Sequence, residues 1–345
     1  MQNKKRESKN SLSRKFRLSE FLAENTIKLV SFTSFAIIIL IFVFVFREAT
    51  PIFFHTEKKA VSQEFSKSES YGDESAQSSK DNYSSFSSGS EDAASFKNLT
   101  QKEWQPVSEN PKYGLLPLFI GSLKATILAI LFGAPLAILA AIFSALFASK
   151  RLKEIIKPAI ELLASFPSVV IGFFALMTIA TFFQSVFGLT YRLNAFTGGV
   201  AMAFAIIPII YTVTEDALTA VPKYFSEASL ALGATKWQTA LFVIMPAATP
   251  GIFAALLLGF GRAFGETMIL LMATGNAPLS SFNIFEPVRT MSATIGAEMA
   301  EVVVGDTHYT VLFFIGALLF VITFIINAIA EFYVRAKLMK RFRGE

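Results

Sequence analysis

Six long apolar stretches, separated by charged or Ser-rich segments, set the layout of the chain. They cover residues 27–46, 115–148, 165–187, 196–213, 247–273 and 309–333. Each approaches or exceeds the roughly 20 residues that an α-helix needs to cross a bilayer. The pattern predicts an all-α integral membrane protein with six transmembrane helices, the first at 27–46. Residues 1–26 form a basic arm with seven Lys/Arg against three Glu. A cleaved signal peptide is excluded, because the first apolar run is too long and no small-residue cleavage site follows it in FREATPIFF. The connector SKRLKEIIK and the carboxyl end VRAKLMKRFRGE are basic too. Basic flanks stay on the cytoplasmic side, so an even number of spans places both termini in the cytoplasm; the expected location is the cell (inner) membrane.

Residues 47–112 break the pattern. They are rich in Ser, Asp, Glu and Lys, with too little apolar surface to offset the entropy of ordering, and read as a solvated extracytoplasmic tether. A phosphosite array or a binding arm is the alternative. Order resumes at EWQPVSENPKYGLLP, where Trp104 and Tyr113 suit a membrane interface. From there a five-helix core occupies 113–345. The segment NAPLSSFNIFEPVRTMSATIGAEMAEVVVGDTH, between the fifth and sixth spans, falls outside with a net excess of acid. Lys124 reads as a side chain snorkelling to the interface, with an extra anion contact as the other reading.

Composition narrows the chemistry. The chain of 345 residues holds 37 Phe, no Cys and two His, which excludes a disulfide framework, a thiolate metal site and a Cys nucleophile and leaves little for a zinc centre. The net charge of +5 sits in short clusters at the ends of apolar segments, where membrane topology accounts for it better than a nucleic-acid partner does. No GxxxxGK[ST] phosphate loop is present, so the chain cannot be the ATPase, and no cofactor bound by this chain is expected.

The connector between spans four and five is too short to cross the membrane, yet it carries Tyr224, Phe225, Leu230 and Leu232. Those side chains need a partner surface or the membrane interface. Pro222 can start a helix, Gly233 can take the left-handed conformation that ends one, and Pro246 stops the next segment. Glu227-Ala228-Ser229, three residues, Gly233, nine residues and then Val243-Ile244-Met245-Pro246 resembles the EAA loop of ABC-importer permeases. Ser229, Val243 and Met245 are mild departures from that pattern. The resemblance implies a type I (MetI-like) permease fold. It also implies that the loop, about 222–246, seats on a separate cytoplasmic ATPase dimer, which uses ATP and Mg and couples to the membrane helices.

The stretch GFGRAFGETMILLMATGN resembles the G-R-A-x-G-E-T-M signature of the phosphate-specific importer, and its continuation resembles the C-type rather than the A-type permease. YGLLPLFIGSL, IELLASFPSVVIGFFAL and GDTHYTVLFFIGALLFVITFIIN resemble the same subunit. This likeness implies a transmembrane permease of an ATP-driven phosphate importer, working with an A-type permease and an extracytoplasmic phosphate-binding protein.

Counted from Pro250 at about 1.5 Å per residue, Arg262 stands roughly 18 Å into the fifth helix, and Glu266 follows one turn on along the same face. One reading is an internal ion pair that only orients helices. The other is a substrate pathway through Arg262, Glu266 and Thr267, in which the guanidinium fork takes phosphate oxygens and Glu266 holds it while the pathway is empty. Gly259, Gly261 and Gly265 would let this helix approach the A-type permease closely. A permease for another oxyanion or phosphonate, an ATP-independent anion transporter, and a sensor built on the Ser-rich arm are the rival readings.

Overall fold

The computed structural model describes residues 18–52 and 96–333. Most of the basic arm, most of the Ser-rich tether and the basic carboxyl end therefore lie outside the described residues. Among the described residues, six helices are long and apolar enough to span a membrane. The first, α1 (Leu18–Ala49), belongs to a unit of its own, Met1–Arg47. Its apolar window has no buried residue.

The second unit, Glu48–Glu345, holds the other five spans. A small hairpin, β1 (Trp104–Gln105) with β2 (Lys112–Tyr113), leads into α2 (Leu116–Phe147). An amphipathic helix, α3 (Lys150–Ser165), follows, then α4 (Ser168–Phe187) and α5 (Ala195–Thr219). The patterned connector contributes α6 (Lys223–Ala231), and α7 (Lys236–Phe264) is the fifth span. Two short helices, α8 (Met268–Ala273) and α9 (Met291–Glu298), precede the last, α10 (Thr307–Tyr333).

The core is the α2–α5 pair. Gly199 lies against Leu128, and Gly133 lies against Ala203 and Ile206, so the contacts advance in the same direction along both helices, which run parallel. Small side chains make this close approach possible: Ala125, Ala129, Ala137 and Ala141 of α2 are wholly buried. Helices pack in lipid through such small-residue surfaces because no hydrophobic force separates helix from tail.

The fifth span begins well before residue 247. Pro246 does not stop a segment: it sits in the first turn of Met245–Phe264, directly after a π-turn at Ala240–Ile244. The N–H of Met245 reaches back five residues to the carbonyl of Ala240, and the widened turn admits the imino ring without a break. Lys124 reaches the segment between the fifth and sixth spans, where its Nζ donates to the carbonyls of Ser281 (2.7 Å) and Asn283 (2.9 Å). Trp104 and Tyr113 are buried within protein rather than set against lipid.

Candidate functional site

The helix carrying Arg262 ends at Phe264. Gly265 donates to the carbonyl of Gly261 and Glu266 to that of Ala263, a tightening last turn, and the chain restarts as α8 only at Met268. Glu266 and Thr267 therefore occupy a break between two helices. The expected i,i+4 alignment of Arg262 with Glu266 on one helical face is not formed, and no ion pair joins them among the described residues. The reason is local: residues 265–267 leave the α-helical path, and the Glu266 carbonyl is drawn aside to accept from Ser292 Oγ at 2.7 Å.

Counted along α7, which starts at Lys236, Arg262 lies in the last turn rather than midway, and its level is given by its neighbours. Gly259 has no room for a Cβ against Ile210, with Ile130 beside it, and those residues lie about 21–22 Å along α5 and α2 from their hairpin-side ends. Arg262 follows less than one turn later. Its side chain is exposed and has no hydrogen-bond or ion-pair partner among the described residues. A guanidinium offering its full fork at mid-depth in an apolar helix is costly to place and suits an anion that arrives and leaves. The glycines divide differently than expected. Gly259 packs on this chain's own α2 and α5, Gly261 faces the Asn327 amide of α10, and Gly265 lies open in the break.

On the opposite side, Pro222 caps α6, and Gly233 ends it with φ +85, a left-handed conformation with open space around it. Thr235 and Gln238 then form a reciprocal capping box that restarts the chain as α7. Ser229 meets Thr239 hydroxyl to hydroxyl at 2.9 Å, tying α6 to the start of the fifth span. Glu227 and Ala228 are exposed, as are Tyr224, Phe225, Leu230 and, at 89 %, Leu232. Among the described residues the loop thus presents an exposed apolar face beside this turn.

A cluster absent from the sequence reading closes the hairpin side. The Glu298 carboxylate accepts from Arg289 Nη1 (2.5 Å) and Trp104 Nε1 (3.2 Å) and pairs with His308 Nε2 (2.9 Å). Arg289 Nε also donates to Asn276 Oδ1. Burial pushes the Glu298 carboxyl up, but His308, Arg289 and Trp104 outweigh it and hold the group below the usual carboxylate range. Burial, with the charges of Asp306 and Glu298, raises the Tyr113 hydroxyl to about 12, so it stays protonated. In the sequence these groups are scattered over two hundred residues, and Trp104, Tyr113 and His308 stand out there only singly, by residue type.

With this geometry established, comparison with known proteins decides the family. Residues 133–338 match the family described as binding-protein-dependent transport system inner membrane component. The chain belongs to this family. A probable ABC transporter permease protein of Bacillus subtilis (strain 168), YqgH, is 36 % identical over 227 residues, covering 66 % of this chain and 74 % of that one. The phosphate transport system permease protein PstC of Mesorhizobium japonicum is 36 % identical over 256 residues, covering 69 % and 77 %. Among solved structures, a chain of a bacterial ABC transporter involved in the import of alginate aligns with a TM-score of 0.51 at 16 % identity, covering 70 % of this permease and 84 % of that chain. That likeness shows the fold; the family match and the curated relatives make the chain a transport permease, a multi-pass inner-membrane component. Such a permease does not hydrolyse ATP itself and works with a separate ATPase and further permease chain.

Proposed function

We propose that the chain is the C-type permease of an ATP-driven inorganic phosphate importer. The observation that carries this reading is Arg262, a free guanidinium at mid-depth in a membrane-spanning helix of a permease whose relatives include a phosphate transport permease. A charge-assisted, bidentate contact suits phosphate oxygens and is about twice as strong as a neutral hydrogen bond. Glu266 and Thr267, at the helix break beyond it, belong to the same pathway.

The remaining partners follow from the faces left free. Helix α6, with Glu227, Ala228 and Ser229 and ended by Gly233, docks on one subunit of an ATPase dimer in the cytoplasm. The hairpin side is extracytoplasmic and receives a phosphate-binding protein, and both termini lie in the cytoplasm. An A-type permease supplies the other half of the pathway. Purification of this chain in a gentle detergent tests the assembly. Recovery of a second permease together with a Walker-motif ATPase supports the reading; recovery of the chain with neither overturns it.

A further inference from the structure

Helix α9 connects the Glu298 cluster to the helix break. At its start, Met291 N–H donates to Ser122 Oγ of α2 at 2.9 Å, and Thr290 caps the first turn. Ser292 Oγ holds the Glu266 carbonyl. One turn on, Gly296 sits so close to Thr267 that an added Cβ would lie 2.5 Å from its Cγ2. At its end, Glu298 collects Arg289, His308 and Trp104, with the Glu298, Arg289 and His308 side chains 11–15 % exposed. Met291, Ala293 and Thr294 are fully buried. An eight-residue helix is thus fixed at both ends and touches the two residues next to Gly265 in between. Packed elements of this kind move as units, so a shift at one end is felt at the other.

We infer that Glu298 is a positioning residue for transport: through α9 it sets where the backbone of Glu266 and Thr267 stands, and so links the hairpin surface to the pathway beside Arg262. This rests on the permease reading above but not on which anion is carried. A binding protein pressing on the hairpin or on the segment before His308 meets the Glu298 cluster first. Trp104 and His308 contribute one side chain each from the two elements such a partner would touch, and their rings pack edge to face with centroids 6.1 Å apart.

The test uses the assembled complex, reconstituted and driven by phosphate-loaded binding protein. In Glu298→Gln the ATPase kcat per assembled complex should fall at least tenfold while the KM for binding protein stays within twofold. Gly296→Ala, which leaves the cluster intact and pushes on Thr267 directly, should reproduce that split, and Glu298→Asp should restore part of the rate. A normal kcat per complex in Glu298→Gln, with only lower thermal stability, makes the cluster a brace; a raised KM alone makes it a docking contact. Either overturns the inference. Because the chain has no Cys, Gly265→Cys gives a readout free of any substrate. Its thiol-labelling rate should change threefold or more in Glu298→Gln, with Ile155→Cys, exposed on α3 and outside both the coupling loop and the cluster, unchanged as control, and an unchanged Gly265→Cys rate contradicts the proposal. If wild-type complex ignores phosphate-loaded binding protein, the phosphate reading fails and the labelling result still judges this one.

Discussion

Arg262 and Glu266 stand four residues apart without sharing a helical face, because α7 ends between them at Phe264 and Ser292 takes the Glu266 carbonyl. Removing the arginine therefore orphans no bound carboxylate. The large cost of breaking a buried ion pair, about 3–5 kcal/mol, does not apply. Arg262→Gln should assemble at wild-type levels, and phosphate uptake should drop about a hundredfold or more as the charged fork is lost. Arg262→Lys, which keeps the charge without the fork, should fall between. Size-exclusion yield and uptake, measured on the same preparations, check both.

Gly233 is the turn on which α6 hangs. At φ +85 a residue with a Cβ is disfavoured by about 1–2 kcal/mol, and a β-branched one by more. Gly233→Val should therefore misalign α6 and lower transport-coupled ATP hydrolysis at least fivefold. Gly233→Asn, which tolerates this backbone, should retain most of it. Equal activity in the two variants would remove the turn from the coupling path.

The hydroxyl pair Ser229–Thr239 joins α6 to α7, and Thr239 is buried. Ser229→Ala leaves a buried hydroxyl unpaired, at about 1–3 kcal/mol. Ser229→Ala with Thr239→Val removes both partners and should recover much of that loss. Thermal unfolding of the four corners of the double-mutant cycle measures the coupling directly.

The Glu298 cluster makes the hairpin side acid-sensitive. The folded carboxyl is held below its ordinary value near 4.5, so its contribution is present above about pH 4.5 and is lost as pH falls through the folded value. Purified complex should lose thermal stability over that window, and Glu298→Gln should flatten the loss. The Tyr113 hydroxyl, raised to about 12, should stay protonated where an ordinary tyrosine ionises, near pH 10, so the tyrosinate increment that Tyr113→Phe removes should lie near pH 12.

How much of this was legible in the sequence depends on which interactions are local. Six spans, the α6 helix and its Gly233 stop follow from hydropathy runs and turn chemistry, which act within a few residues. Pro246 misled because a π-turn accommodates it, and periodicity does not report a π-turn. The break at Gly265–Thr267 was hidden by an apolar run that continues through Met268 to Ala273. Ser292, 26 residues away, draws the Glu266 carbonyl aside, and no window along the chain contains both. Helix α9 looked like an acidic loop, since its burial depends on Ser122, Thr267 and Glu266 rather than on its own pattern.

The most direct test of the account is uptake of radiolabelled phosphate by proteoliposomes containing the purified complex, phosphate-binding protein outside and ATP within. The account predicts accumulation that requires ATP and falls to background in Arg262→Gln at equal assembly. Accumulation without ATP, or an Arg262→Gln complex that imports phosphate at the wild-type rate, would contradict it.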